Sequence, residues 1–266
     1  MRIVAINGSY RGDRGHTRFL LDKIVEGVTA AGGQAEVVSL ARLKVNRCLG
    51  CGVCQEPDSK GRCVHADKDD VASVFEKMAM ADVVLYATPV YVFSMSALLK
   101  TLLERMYGIG DSSALCVTQS GLLFHQVDPK TCRKPFATLV CCDNLEEASP
   151  SNVLHYFRTY SRFMDAPYVA SLVRNGGKLA GHGQDPKKLD QFPRLREVYD
   201  AYVTAGRELA TSGRVSAEVQ NRANQEIIPV PGFSVLKRMR FFKPAMLQRA
   251  AELGFGLHRD PSPPDT

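Results

Sequence analysis

No stretch of this 266-residue chain approaches the roughly 20 consecutive apolar positions that a membrane-spanning helix needs, so no membrane span is expected. Met1-Arg2 runs straight into Ile3-Val4-Ala5-Ile6 and then Asn7-Gly8-Ser9, which leaves no long apolar segment with a cleavage site. A cytoplasmic location is the expectation that follows. There, the 8 cysteines do not suggest a disulfide framework, and clustered ones point to metal binding or redox chemistry. Neither a nucleic-acid-binding motif nor basic–aromatic interleaving is present. The Walker pattern is missing, because no Gly-Lys-Ser/Thr occurs, and the early glycines at 8, 12 and 15 do not fit the dinucleotide fingerprint. There are no internal repeats.

What is present has the balance of an ordinary globular protein. The hydrophobic fraction is 45% and the charged fraction 23%, enough for a buried core. The length suits one α/β domain with an appendage. Part of the net charge of +6 gathers in Lys237, Arg238, Arg240, Lys243 and Arg249, with no acidic residue between them. A solvated basic face is the reading preferred over a contact with acidic partners, anionic lipid or a phosphate.

Short apolar strands alternate with helical patterns, as in βαβ units. Strands are expected at Arg2–Ile6, Ala35–Leu40, Val83–Ala87, Phe136–Cys141 and Tyr168–Val173. Helices are expected at about 17–31, from Asp67, Asp69 and Asp70 through about Met80, and at about 94–107, 151–163 and 186–211. A Gly/Ser/Pro-containing connection fills 108–135. From Gly213 the pattern changes to an extended linker over 227–232, an amphipathic helix between 234 and 252, and a disordered end at 260–266. The expectation is a domain over 1–212 and a C-terminal extension over 213–266. The fold class is a three-layer α/β sandwich with a five-stranded parallel sheet of order 2-1-3-4-5.

The loop from Asn7 to Thr17 joins the first strand to the first helix, where free backbone N–H groups and the positive helix end converge on one point. Gly8, Gly12 and Gly15 allow close approach, Ser9 and Thr17 offer hydroxyls, and Arg11 a charged fork. Such a loop suits a single phosphate monoester. In a 2-1-3-4-5 sheet the third strand ends beside this loop, at the topological switch point. There Pro89, Val90 and Tyr91 can wall a flat ring, while Tyr91, Val92 and Phe93 supply backbone donors.

The cysteine loop reads Cys48-x2-Cys51-x2-Cys54-x8-Cys63. Such close C-x2-C-x2-C runs suit a [4Fe–4S] cluster, whereas structural zinc more often uses two separated C-x2-C pairs. Zinc and metal-free thiols stay open as alternatives. Cys116, Cys141 and Cys142 lie in or near apolar segments and read as structural, and Cys132 reads as an ordinary loop thiol.

Gly8-Ser9-x-Arg11, Gly15-x-Thr17, Cys48-x-Gly-Cys51, Asp69-Asp70, and Thr88-Pro89-Val90-Tyr91 before Ala97-x-x-Lys100 together resemble the NAD(P)H-dependent FMN reductase and iron–sulfur flavoprotein family, over about residues 1–210. The resemblance implies a flavodoxin-like fold with FMN phosphate at Ser9, Arg11, Gly15, His16 and Thr17, and the flavin along Pro89, Val90, Tyr91, Val92, Phe93 and Ser94. It also implies a third flavin loop at Asp143 and a [4Fe–4S] cluster on Cys48, Cys51, Cys54 and Cys63, although the gap before Cys63 is longer than the family's usual one. The implied activity is FMN-dependent redox chemistry coupling one- and two-electron transfer, in a homo-oligomer. The electron source would be NAD(P)H or a redox partner protein. A cluster-free NAD(P)H-dependent FMN or quinone reductase, and a flavodoxin-type electron carrier without enzymatic activity, are the rival expectations.

Overall fold

A computed structural model of the chain describes residues 1–59, 61–181, 189, 192–228 and 232–250. The first strand, β1 (Arg2–Asn7), is buried along nearly its whole length. Val4 and Ile6 join the core on one face of the sheet, which turns Ile3 and Ala5 to the other. Helix α1 (His16–Ala30) buries Leu20, Leu21, Ile24 and Val28, and the chain leaves it through Gly32 at a φ of 75°, a conformation L side chains rarely adopt. Then come β2 (Gln34–Ser39), the cysteine loop, α2 (Val71–Ala79), β3 (Val83–Tyr91), the short β4 (Ser94–Met95) and α3 (Ala97–Glu104). A ribbon of β5 (Gly110–Val117) and β6 (Leu123–Val127) leads to β7 (Phe136–Cys142), α4 (Ser151–Met164), β8 (Tyr168–Asn175), α5 (Pro193–Ser212) and α6 (Ala217–Asn224).

The main sheet runs β2-β1-β3-β7-β8, all parallel, with β4 folded back antiparallel on the end of β3. This is the expected order 2-1-3-4-5. Helices α2, α3 and α4 share one core with the sheet, built around residues such as Phe75, Leu102, Phe136 and Phe157. On the opposite face α1 and α5 pack against each other. Their backbones touch. A Cβ added to Gly27 would lie 1.9 Å from the Val203 carbonyl oxygen, and one on Gly206 would lie 2.0 Å from that of Ile24.

Three local expectations are corrected. The 108–135 connection is built around the β5–β6 ribbon. A register irregularity between Asp111 and Leu115 breaks the two-residue alternation that would have signalled a strand. The ribbon also exposes Leu115, Val117 and Leu123 instead of burying one face. Cys132, read as a loop thiol, is buried in the core, on a short helical turn whose start is capped by Asp128. The helix expected over 94–107 is shorter, because Ser94 and Met95 pair with β3 and residues 105–109 tighten into a 3-10 turn.

The chain divides into two compact units, Met1–Gln225 and Glu226–Thr266. In the first, α6 covers the open edge of β8. Asn224 accepts from Val173 N at 2.7 Å and donates to the Ser171 carbonyl at 2.9 Å, while Gln220 accepts from Ser171 N at 2.9 Å. Side-chain amides thus occupy groups that an exposed edge would offer to another chain. In the second unit, residues Phe233–Leu236 and Lys243–Ala250 are helical. Lys237 is not part of a freely solvated face: it pairs with Glu226 at 3.0 Å and lies 5.9 Å from the centre of the Phe233 ring. The expected helix start at 186, positions 229–231 of the linker and the expected disordered end lie outside the described residues. Among the described residues, no helix is long and apolar enough to cross a membrane.

Candidate functional site

Where the carboxyl ends of the central strands meet, a cleft of about 90 Å³ opens. The loop after β1 lines it with Ser9, Arg11, Gly15, His16 and Thr17, and β3 adds Pro89, Val90 and Tyr91. Cys141 and Asp143 from the end of β7, and Gly177 just after β8, complete it. The opening is well below the roughly 300–1,000 Å³ of a pocket that swallows a drug-sized ligand, so it suits one end of a larger molecule.

The loop is shaped by its own polar groups. Asn7 donates to the Gly12 carbonyl at 3.1 Å and accepts from Ser9 N at 3.1 Å. Ser9 Oγ accepts from Arg11 N at 3.3 Å, and Gly8 N reaches the Ala87 carbonyl at 2.8 Å, which extends the pairing with β3. Gly12 sits at a φ of 54°, which a side chain would resist. Helix α1 then begins at N-cap Gly15 with no side-chain cap. Its first N–H groups have no acceptor within the helix, and its positive end opens onto the cleft. The nearby carboxylate of Asp13 is held by Arg18 and Arg42.

On the other wall, Tyr91 stacks with Tyr10, ring centres 6.0 Å apart and planes 27° from parallel. Between Tyr91 and Ser94 the chain reverses through Val92 and Phe93, at φ 46° and 63°. For a β-branched residue such a φ is strained, by about 1–3 kcal/mol. The surroundings hold the turn: Ser96 N donates to Thr88 Oγ1 at 3.0 Å, and Asn152 donates to the Phe93 carbonyl at 3.2 Å. Val92, Phe93 and Ser94 do not line the cleft but stand exposed beside it. Sequence reasoning missed Tyr10, Cys141 and Gly177, although the place of Cys141 at the carboxyl end of a central strand would have flagged it. Burial pushes the Cys141 thiol up to about 12, with the Thr17 hydroxyl and Arg174 pulling the other way. It is no thiolate nucleophile at neutral pH.

A second cavity, of about 310 Å³, collects Cys48, Cys51, Cys54 and Cys63 on its walls. Among the described residues between Cys54 and Cys63, tight turns return the chain. Glu56 N donates to the Val53 carbonyl at 3.1 Å, Ser59 N to Glu56 at 3.0 Å, and Gly61 N to the Cys54 carbonyl at 3.1 Å. The long gap therefore closes on itself and brings Cys63 back to the wall of the cavity that the other three line. All eight cysteines are free thiols. Among the described residues, no three of His, Cys, Asp and Glu stand close enough to hold a single metal ion.

Asp69 and Asp70 stand at the start of α2, as expected, and also tie down the base of this loop. Asp70 accepts from Lys44 N at 2.7 Å, while Asp69 accepts from Asn46 N at 3.1 Å and Val71 N at 3.2 Å. Asp69 also pairs with Arg105, which donates to the Asn46 carbonyl at 3.0 Å and to Cys63 Sγ at 3.6 Å. Burial works against the Arg105 charge, but Asp69 and Cys63 more than restore it, and its pKa lies above the usual guanidinium value. Gln55 fastens the middle of the loop to the ribbon, donating to the Tyr107 carbonyl at 2.9 Å and accepting from Ser112 N at 2.8 Å. Among the described residues, the lining of the cavity includes Arg47, His65, Lys68 and Arg105 and no acidic residue.

Helix α3 joins the two sites. A Cβ on Gly8 of the first loop would meet Ser96 Oγ at 2.9 Å and Leu99 Cβ at 2.8 Å, so that loop rests on the first turn of α3. Arg105 and Gly108, which touch Cys63, follow its last turn. Eight helical residues span about 12 Å.

The sequence profile of the family NADPH-dependent FMN reductase matches residues 1–118. An iron-sulfur flavoprotein of Archaeoglobus fulgidus is 37% identical over 105 residues, 40% of this chain and 48% of that protein. One from Methanocaldococcus jannaschii is 35% identical over 105 residues, 40% of this chain and 51% of that one. The matched segment spans about half the length of these relatives. Among solved structures, an FMN-dependent NADH-azoreductase of Bacillus anthracis in complex with FMN superposes with a TM-score of 0.55 at 12% identity, over 79% of this chain and 99% of that one. That likeness identifies the flavodoxin-like fold. With the two loops at the switch point, residues 1–118, which hold both the first loop and the four cysteines, are similar to the NADPH-dependent FMN reductase family.

Proposed function

We propose that the chain is an FMN-dependent oxidoreductase that holds FMN in the cleft and a [4Fe–4S] cluster in the cysteine cavity. The observation that supports this most is the pairing, on one rim of the sheet, of an uncapped helix start with four cysteines that line one cavity. Ser9, Thr17 and the N–H groups at the start of α1 suit the phosphate, and Arg11 adds a cation. The carboxylate of Asp143 would repel a phosphate, so its place is with the hydroxyls of the ribityl chain. Pro89, Val90, Tyr91 and Tyr10 offer a wall for the flavin ring, and the Val92–Ser94 turn offers backbone groups at its edge. Cys48, Cys51, Cys54 and Cys63 would supply the thiolates.

When bound, FMN takes up a hydride or two electrons and releases them singly, while a cluster passes one at a time. The protein's part is to bind, orient and shield. The electron source is NAD(P)H or a one-electron carrier protein; the cationic lining of the cysteine cavity suits an acidic carrier. A homo-oligomer in the cytoplasm is part of the same reading, with the exposed Leu115, Val117 and Leu123 as apolar surface open to a second copy. The rival is a cluster-free FMN or quinone reductase, favoured by the description of the family whose profile matches.

Anaerobic purification followed by an absorption spectrum and iron and sulfide analysis decides between them. Flavin bands with a broad iron–thiolate shoulder, and loss of iron on Cys63→Ser, support the full reading. Flavin bands without iron support the rival, and protein that binds no FMN overturns both.

A further inference from the structure

Arg105 occupies a singular place in the cysteine loop. Its side chain is 4% exposed and that of its partner Asp69 0%, so both charges are withdrawn from water. Its guanidinium works as a fork. One nitrogen holds Asp69 and the Asn46 carbonyl, two residues before Cys48, and the other reaches Cys63 Sγ at 3.6 Å. Both ends of the loop are thereby fixed to one rigid point just beyond α3. Cys63 also rests on Gly108, where an added Cβ would come within 3.3 Å of its own Cβ, so Cys63 has little room to shift. Another sulfur has a side-chain donor, Gln55 Nε2 at 3.6 Å from Cys54 Sγ, but that donor is neutral.

We propose that Arg105 is a positioning residue for the cysteine site, holding Cys63 in register with the other three and, as a buried cation on that sulfur, favouring the reduced form of the cluster. The electrostatic half rests on the cluster reading above; the positioning half stands without it. The physical reason is that reduction adds negative charge to the thiolate-bound centre. An N–H donor and a positive charge at a ligand sulfur, screened from water, stabilise that charge more than the oxidised state.

Removing Arg105 alone would strand Asp69 as a buried unpaired charge and threaten folding. Two variants avoid this. Arg105→Lys keeps a cation for Asp69 but lacks the second arm of the fork, and Arg105→Gln with Asp69→Asn replaces the ion pair by neutral partners. Each is reconstituted anaerobically with ferrous iron and sulfide. The midpoint potential is read by EPR during a titration in which dithionite supplies the single electron. In parallel, amide exchange of the iron-free proteins is followed over residues 61–68. In both variants we expect the reduction equilibrium to fall about tenfold, or 59 mV for one electron. Exchange at 61–68 should be at least tenfold faster in the double variant. Iron-loaded variants with unchanged midpoints overturn the electrostatic half, and unchanged exchange overturns the positioning half. A wild-type protein that takes up no iron removes the cluster reading and the electrostatic half together, and the exchange data still decide the rest.

Discussion

Replacing Gly15 by alanine should cost the protein its grip on FMN while leaving the fold intact. Gly15 lies at φ −83° and ψ 153°, an extended conformation open to any residue, so the backbone itself does not object. The new methyl does. It would sit 2.9 Å from Ser9 Oγ and 3.3 Å from Arg11 Cβ, about 0.5 Å inside ordinary contact with the hydroxyl. Ser9 is buried and its Oγ already accepts from Arg11 N, so the side chain cannot swing aside without breaking the loop. The loop must move instead, and its donors move with it by a few tenths of an ångström. Weakening one or two charge-assisted hydrogen bonds, each worth about 1.5–3 kcal/mol, predicts a 10- to 100-fold rise in the FMN dissociation constant. Fluorescence-quenching titrations with FMN and with riboflavin, which lacks the phosphate, read this directly. FMN should weaken strongly and riboflavin hardly at all, with the melting temperature falling by no more than about 4 °C. Equal weakening of both ligands, or no weakening, would show that the phosphate does not sit at the mouth of α1.

Gly27→Ala should separate α1 from α5, since its methyl would meet the Val203 carbonyl at 1.9 Å; the expected cost is about 3 kcal/mol or more, and a thermal melt within 2 °C of wild type refutes it. Burial pushes the Cys132 and Cys141 thiols from 9.0 to about 12. The unfolded chain then loses these protons first, so the stabilisation is complete below about pH 9 and drains away as pH rises toward 12. Denaturant midpoints should fall across that window, less steeply in Cys132→Ala, and a flat profile contradicts the assignment. Lys68→Glu should slow electron exchange with an acidic carrier protein about tenfold at low salt, the difference vanishing near 0.5 M. A rate indifferent to salt would remove the cationic lining from the docking argument.

Much of the fold was legible along the chain because its signals are local. The apolar runs at 3–6, 83–87 and 136–141 are what strands buried on both faces require, and the glycines at 32 and 33 close the first helix where the backbone must turn left-handed. The two loops that meet in the cleft could be named because each follows a strand, and strand order alone makes them neighbours. The β5–β6 ribbon was not legible. Its alternation is broken by an irregular register, and its apolar residues face water. Nor was the burial of Cys132, which depends on the elements that close over it.

The sequence by itself determined the positions of the strands, the phosphate-type loop after β1 and the presence of four cysteines in one segment, since propensity and spacing act over a few residues. Tertiary structure alone decided which groups meet. It closes the Cys54–Cys63 gap, makes Asp69 at the start of α2 the partner of Arg105 as well, and brings Cys141 and Gly177 to the cleft. Those contacts join residues up to about a hundred and seventy positions apart, and their strength comes from excluding water, which no local pattern records.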